Sequence, residues 1–223
     1  MTSAPDPARP GPERSELITW PTPAYRLGRR LCWCELKLVH RLRVEGKQLL
    51  PRQGGYLIVA NHQSFLDIPL VAAALMERHV CFVARATLAR SRALAWLMRR
   101  SGAVLIQRGA GDRQALADMV AHLVAGDVVC VFPEGTRSLD GSLGEFLPGA
   151  LFAAKRARAP IVPAGIRGAF EVLPRNARYP RPRRVGIRFG QPIEGSDRDA
   201  MDRAREAILG MIGDGRFGNI RGS

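Results

Sequence analysis

The sequence predicts a single three-layer α/β domain, with a largely parallel central sheet flanked by helices and an N-terminal amphipathic helix in front of it. Three observations carry this. From Tyr56 onward, apolar runs of strand length alternate with helical patterns. The runs, among them "YLIVA", "VVCVF" and "IVPAGI", are apolar at successive positions rather than at every second one, as in strands covered on both faces. The chain has 223 residues, 46% of them hydrophobic, and no repeat or long linker; that is enough for one large core.

In chain order, residues 1–20 are Pro-rich and polar, without the pattern of a signal peptide, and are expected to be a disordered tail. Residues 21–45 read as an amphipathic basic helix, with Thr22 as N-cap and Pro23 at the first helical position. On a helical wheel Leu27, Leu31, Cys34, Leu38 and Leu42 form one stripe, and Arg26, Arg29, Arg30, Lys37 and Arg41 gather opposite. The stripe suits either an ordinary core-facing helix or one lying on a membrane surface. The main domain is expected over residues 46–215, with a tail at 216–223. Its strands are read at 56–60, 80–84, 103–107, 128–132, 161–166 and 184–190. Its helices are read at 64–77, 88–100, 112–124, 149–158 and 199–211.

The net charge of +14 and a pI near 11.1 call for an anionic partner: nucleic acid, a phospholipid surface or a phosphorylated substrate. A nucleic-acid binder would interleave aromatics with its basic residues. Aromatics make up only 6% of the chain, and the arginine-rich stretch from Arg175 to Arg188 contains just Tyr179, so nucleic acid is not expected as a partner and that stretch reads as a solvated basic loop. No run of 18 apolar residues occurs, so any membrane contact is expected to be peripheral. Cys32, Cys34, Cys81 and Cys130 lack paired metal-ligand spacing and read as free core thiols of a reducing compartment.

The chemistry concentrates in "VANHQSFLD". His62 and Asp67 lie five residues apart, a step that turns about 140° beyond a full turn on a continuous helix. They meet only if His62 precedes the helix. A helix start at Ser64, with Asp67 completing a capping box, supplies that arrangement, and the alternative reading of Asp67 is a cap alone. If they do meet, Asp67 holds one imidazole nitrogen protonated while the other takes a proton from a hydroxyl. No G-x-S-x-G accompanies them, which favours direct attack by a substrate hydroxyl over a covalent acyl-enzyme.

A second constellation, "VVCVFPEGTRS", runs from an apolar strand into a loop presenting Thr136, Arg137 and Ser138. An arginine there can grip a phosphate in fork geometry, with hydroxyls and backbone N–H groups completing the cradle. Arg108 in "GAVLIQRG" and the segment "IVPAGI" mark two further strand ends. In a parallel sheet these four ends converge on one edge, where ligands bind.

Together "NHQSFLD", "GAVLIQRG", "FPEGTRS" and "IVPAGI" resemble the glycerophospholipid acyltransferase family, especially the lysophosphatidic acid acyltransferases, over about residues 55–170. The resemblance implies transfer of an acyl group from acyl-coenzyme A or acyl carrier protein to a lysophospholipid hydroxyl, with no metal and no cofactor. It implies a peripheral enzyme on the cytoplasmic face of the membrane. It gives His62 as general base, Asp67 as its orienting partner, and Arg108 and Arg137 as ligands of the acceptor phosphate. Glu134, Gly135 and Thr136 match the glycerophosphate-binding part of the third motif. Two departures stand out: Leu147 and Pro148 where many relatives have a lysine, and Gln107 where many have an acidic residue. Another lysolipid acceptor, or a hydrolase using the same pair on water, are the alternative readings.

Overall fold

The computed structural model describes residues 23–85, 104–106 and 111–214. The terminal tails, the helix expected over 88–100 and Arg108 fall outside the described residues. A helix α1 (Pro23–Leu38) leads into strand β1 (Arg43–Glu45) and a 3₁₀ turn at Lys47–Leu49. Then come β2 (Tyr56–Ala60), α2 (Asp67–Ala74), β3 (Val80–Arg85), β4 (Val104–Ile106), α3 (Gly111–Val124) and β5 (Val128–Val131). The chain continues through α4 (Gly149–Ala157), β6 (Ile161–Arg167), the single-turn α5 (Ala169–Val172), β7 (Gly186–Phe189) and α6 (Ala200–Gly213).

The described strands form one seven-stranded sheet in the order β1-β7-β6-β2-β5-β3-β4. The five from β6 to β4 are mutually parallel, β7 runs antiparallel to β6, and β1 pairs parallel with β7. The sheet is therefore largely parallel, as expected, with a reversed pair at one edge. Alternate residues of β2 supply the two cores. Tyr56, Ile58 and Ala60 pack with α2, β7 and Leu36 of α1 on one face, and Leu57 and Val59 pack with α3, α4 and α6 on the other. Every residue of β2 and β5 is buried, which accounts for their unbroken apolar runs.

The N-terminal region departs from expectation. The helix stops at Leu38, and Arg43–Glu45, read as part of it, is an edge strand. Arg41 adopts a left-handed conformation with φ 47° that no Gly or Asn foreshadows. The boundary placed between residues 45 and 46 thus cuts behind a strand of the main sheet. The apolar stripe, left open between a core face and a membrane-surface face, turns outward: Leu27, Leu31 and Leu38 are 59%, 61% and 81% exposed. The helix instead docks through buried Leu36 and through Arg29, whose guanidinium donates to the carbonyls of Met76 and Arg78 just beyond α2. Cys32 and Cys34 are accordingly exposed, and only Cys81 and Cys130 are the expected core thiols.

Connectivity places the site. From β2 the chain crosses past β5 to reach β3, whereas from β5 it crosses back past β2 to reach β6. The loops after β2 and β5 part in opposite directions at neighbouring strands, which opens a crevice at the carboxyl ends of the sheet. Both chemical motifs occupy that point.

Candidate active site

His62 follows β2 by two residues, and Asp67 is the first residue of α2. The helix begins three residues later than expected, but the predicted local bonds form. The Ser64 amide donates to Asp67 Oδ2 at 2.8 Å, and the Ser64 hydroxyl accepts from the Leu66 amide at 3.1 Å. Asp67 Oδ2 also accepts from the Gln63 amide at 2.7 Å and lies 2.8 Å from His62 Nδ1. Capping and imidazole orientation are therefore one structure, in which two backbone amides aim the carboxylate at the ring.

The pair sits at the boundary of solvent. Asp67 is fully buried, while the His62 side chain keeps 17% exposure. Burial raises the Asp67 carboxyl above its ordinary range, against the opposing pull of His62 and of the Ser64 and Gln63 amides. Asp67 Oδ1 is buried without a hydrogen-bond partner, so all the directional chemistry of this carboxylate passes through Oδ2. With Nδ1–H donating to Asp67, Nε2 is the nitrogen left to accept a proton. The ring also stacks on Phe132 at the end of β5, with centroids 4.2 Å apart and planes 19° from parallel.

The loop after β5 locks onto the loop after β2. The His62 amide donates to Glu134 Oε1 at 2.8 Å, the Gly144 amide donates to Glu134 Oε2 at 2.9 Å, and the Ser138 amide donates to the His62 carbonyl at 2.8 Å. Glu134 therefore braces the backbone of His62. A carboxylate with both oxygens engaged this way repels a phosphate, so its geometry differs from the phosphate contact the resemblance implies. Burial raises its carboxyl above the ordinary glutamate range, and the two amides counteract this. Gly135 takes φ 66° in the turn that follows, a conformation that costs any residue with a Cβ. Thr136 is exposed beside it.

Arg137 comes next, its guanidinium carbon 3.6 Å from the ring centroid of Phe65. One guanidinium nitrogen, Nη1, is buried without a hydrogen-bond partner. Burial and the charge of Arg175 both lower its pKa, yet an arginine remains protonated throughout the working range. A cation with a spare donor, held over an aromatic ring and close enough to a second arginine to feel its charge, has the make-up of an anion site.

Several residues that hold the site were not legible in the sequence. The Asn61 side chain exchanges two hydrogen bonds with the Ile166 backbone of β6, at 2.7 and 2.9 Å. Gln63 Nε2 donates to the Gly141 carbonyl, and the Ser64 hydroxyl donates to that of Leu173. Their partners are 78 to 109 residues away, beyond the reach of any local pattern. Phe65, 52% exposed, had no periodic signal either.

The pair on a switch-point crevice, with an arginine-lined anion site beside it, has the make-up of an enzyme that activates a hydroxyl on a phosphorylated substrate. The sequence model of the acyltransferase family matches residues 41–167, and the chain belongs to that family. It is 35% identical over 193 residues to a 1-acyl-sn-glycerol-3-phosphate acyltransferase alpha of Bos taurus, covering 81% of this chain and 66% of that protein. It is 29% identical over 185 residues to a chloroplastic 1-acyl-sn-glycerol-3-phosphate acyltransferase of Arabidopsis thaliana, covering 79% of this chain and 51% of that one. The chain thus spans about half to two thirds of the length of these curated relatives. Its fold matches the crystal structure of the 1-acyl-sn-glycerophosphate (LPA) acyltransferase PlsC from Thermotoga maritima. The TM-score is 0.64 at 25% identity, over 82% of this chain and 78% of that one.

Proposed function

We propose that this protein transfers a fatty acyl group from an acyl thioester, carried on coenzyme A or acyl carrier protein, to the free hydroxyl of lysophosphatidic acid, giving phosphatidic acid. The observation that carries the reading is the His62–Asp67 pair, 2.8 Å apart, standing beside an arginine with a spare buried donor. The relatives bearing the same activity in their names support it.

In this mechanism Nε2 of His62 accepts the proton of the acceptor hydroxyl as its oxygen attacks the thioester carbonyl. Asp67 stabilises the imidazolium that forms. Collapse of the tetrahedral intermediate breaks the carbon–sulfur bond, and the departing sulfur takes the proton from His62. Proton, electron pair and acyl group all balance without a metal. Arg137, on its Phe65 platform, binds the acceptor phosphate, and Arg108, two residues after β4 in the sequence, is the second phosphate ligand of this reading. Gly135 and Thr136 line the same loop, and Glu134 holds that loop against His62.

No helix among the described residues is long and apolar enough to cross a membrane. We propose peripheral attachment to the cytoplasmic face through α1, whose outward Leu27, Leu31 and Leu38 are flanked by exposed Arg26 and Arg30. Apolar side chains entering an interface beside basic residues at its anionic surface suit reversible binding.

The test is acyl transfer in vesicles from a thioester donor to lysophosphatidic acid and to a panel of other lysolipids, for wild type and His62→Ala. Phosphatidic acid formed by wild type and lost in the variant supports the reading. Activity confined to another lysolipid keeps the mechanism and overturns the acceptor. Fatty acid released without any acceptor points to hydrolysis.

A further inference from the structure

A second cluster of ligating side chains lies at the opposite end of the sheet from His62. Cys81 is the second residue of β3, His122 lies in the last turn of α3, and Asp127 immediately precedes β5. β5 spans four residues, so this cluster and the catalytic crevice are separated by roughly 13 Å of strand. Cys81 and His122 are buried at 1% and 8% exposure. The Asp127 side chain keeps 24%.

Cys81 Sγ, His122 Nδ1 and a carboxylate oxygen of Asp127 all lie within 4.8 Å of one another. The sulfur is 3.6 Å from His122 Nδ1, which is 2.9 Å from Asp127 Oδ2. A tetrahedral zinc ion with Zn–S of about 2.3 Å and Zn–N of about 2.05 Å holds its sulfur and nitrogen about 3.5 Å apart. The cysteine and histidine already stand at that separation. His79 Nδ1, 3.8 Å from the same sulfur, is within reach as a fourth ligand.

Hydrogen bonding serves the three groups less well than a cation would. When His122 Nδ1 carries a proton it donates to Asp127 at 2.9 Å, and the thiol, a weak donor and weak acceptor, is left with contacts of 3.6 Å to that nitrogen and 3.8 Å to His79 Nδ1. A divalent ion takes a lone pair from all three atoms. One thiolate and one carboxylate balance its charge, and the thiol proton leaves to solvent on binding.

We propose that Cys81, His122 and Asp127, joined by His79, form a structural zinc site that ties α3 to the entering ends of β3 and β5. The ligand set of sulfur, imidazole and carboxylate suits zinc and excludes magnesium and calcium, which take oxygen ligands. The site is separate from the acyl-transfer chemistry and independent of that reading.

The experiment uses the full chain carrying Cys32→Ser and Cys34→Ser, because those two exposed thiols are metal ligands in their own right. Metal-free protein is titrated with Co²⁺ and then with Zn²⁺. We expect one equivalent of Co²⁺ to bind with a thiolate-to-cobalt charge-transfer band, which one equivalent of Zn²⁺ removes. The band disappears in Cys81→Ala. In Asp127→Asn, which preserves packing at a partly exposed position, Co²⁺ binds at least about tenfold more weakly. Zn²⁺ raises the melting temperature of the parent chain and leaves that of Cys81→Ala unmoved. No charge-transfer band in the parent, or a band of unchanged strength in Cys81→Ala, overturns the proposal.

Discussion

Replacing Asp67 by asparagine separates its two tasks, orienting His62 and capping α2. Three donors converge on Oδ2, and Oδ1 has no partner. In Asp67→Asn the amide oxygen must take the Oδ2 position, because the reverse orientation sets an NH₂ against two backbone N–H groups. The cap and the imidazole tautomer both survive, and an unpaired donor replaces an unpaired acceptor. Three charge-assisted bonds become neutral ones, but the cost of burying a charge also disappears, so stability should remain within about 1 kcal/mol of wild type. What is lost is the negative charge that stabilises the imidazolium. With the tautomer kept, kcat/KM should fall by about 10²-fold, at the lower end of what a general base contributes. Asp67→Ala behaves differently. It strands the buried Gln63 and Ser64 amides at about 1–3 kcal/mol each, a large share of a domain's typical 5–15 kcal/mol. Initial-rate kinetics on phosphatidic acid formation and urea unfolding measure the two effects. An Asp67→Asn protein with near wild-type turnover would reduce Asp67 to a cap. One that unfolds as readily as Asp67→Ala would refute the orientation argument.

Glu134 carries the pH prediction. Its carboxyl is raised by burial, so the native state holds a proton that the unfolded chain has released, and stability falls as pH rises through that window. The stability of wild type relative to Glu134→Gln should therefore decline from the ordinary glutamate range up through the raised native value and then level off, as read from urea midpoints at successive pH values. For the anion site, Arg137→Ala should raise the KM for lysophosphatidic acid by roughly 10- to 150-fold through loss of one charged hydrogen-bonding partner. Phe65→Ala should raise it only about two- to fivefold through loss of the cation–π contact, and a larger effect on the donor KM than on the acceptor KM would sink the assignment. On α1, Leu31→Glu and Leu38→Glu remove apolar groups worth about 1.5–3 kcal/mol each on insertion. They should abolish flotation with anionic vesicles while leaving the unfolding midpoint unchanged, since both side chains already face solvent.

Much of the fold could be read from local pattern. β2 occupies the predicted residues, and β5, β6, α3 and α4 lie within a residue or so of them, because a strand buried on both faces must be apolar throughout. The capping residues after β2 were equally legible, since Ser64 and Asp67 act within one turn. What the pattern missed was decided by distant partners. The stripe on α1 has the periodicity of a core face, yet Leu36 and Arg29 dock that helix and the stripe points outward. Amphipathicity says that a helix has two faces, and only the neighbouring elements decide which is covered.

The same division runs through the site. Sequence by itself determined that a histidine and an aspartate flank a helix start after a buried strand, and that an arginine sits in the loop that follows another buried strand. These depend on backbone geometry within a few residues. Tertiary structure alone decided that Glu134 serves the backbone of His62, that Phe65 supports Arg137, and that Cys81 meets His122 and Asp127. Such contacts are made when the order of strands in the sheet brings separate loops to one end of it, and no spacing along the chain encodes that order.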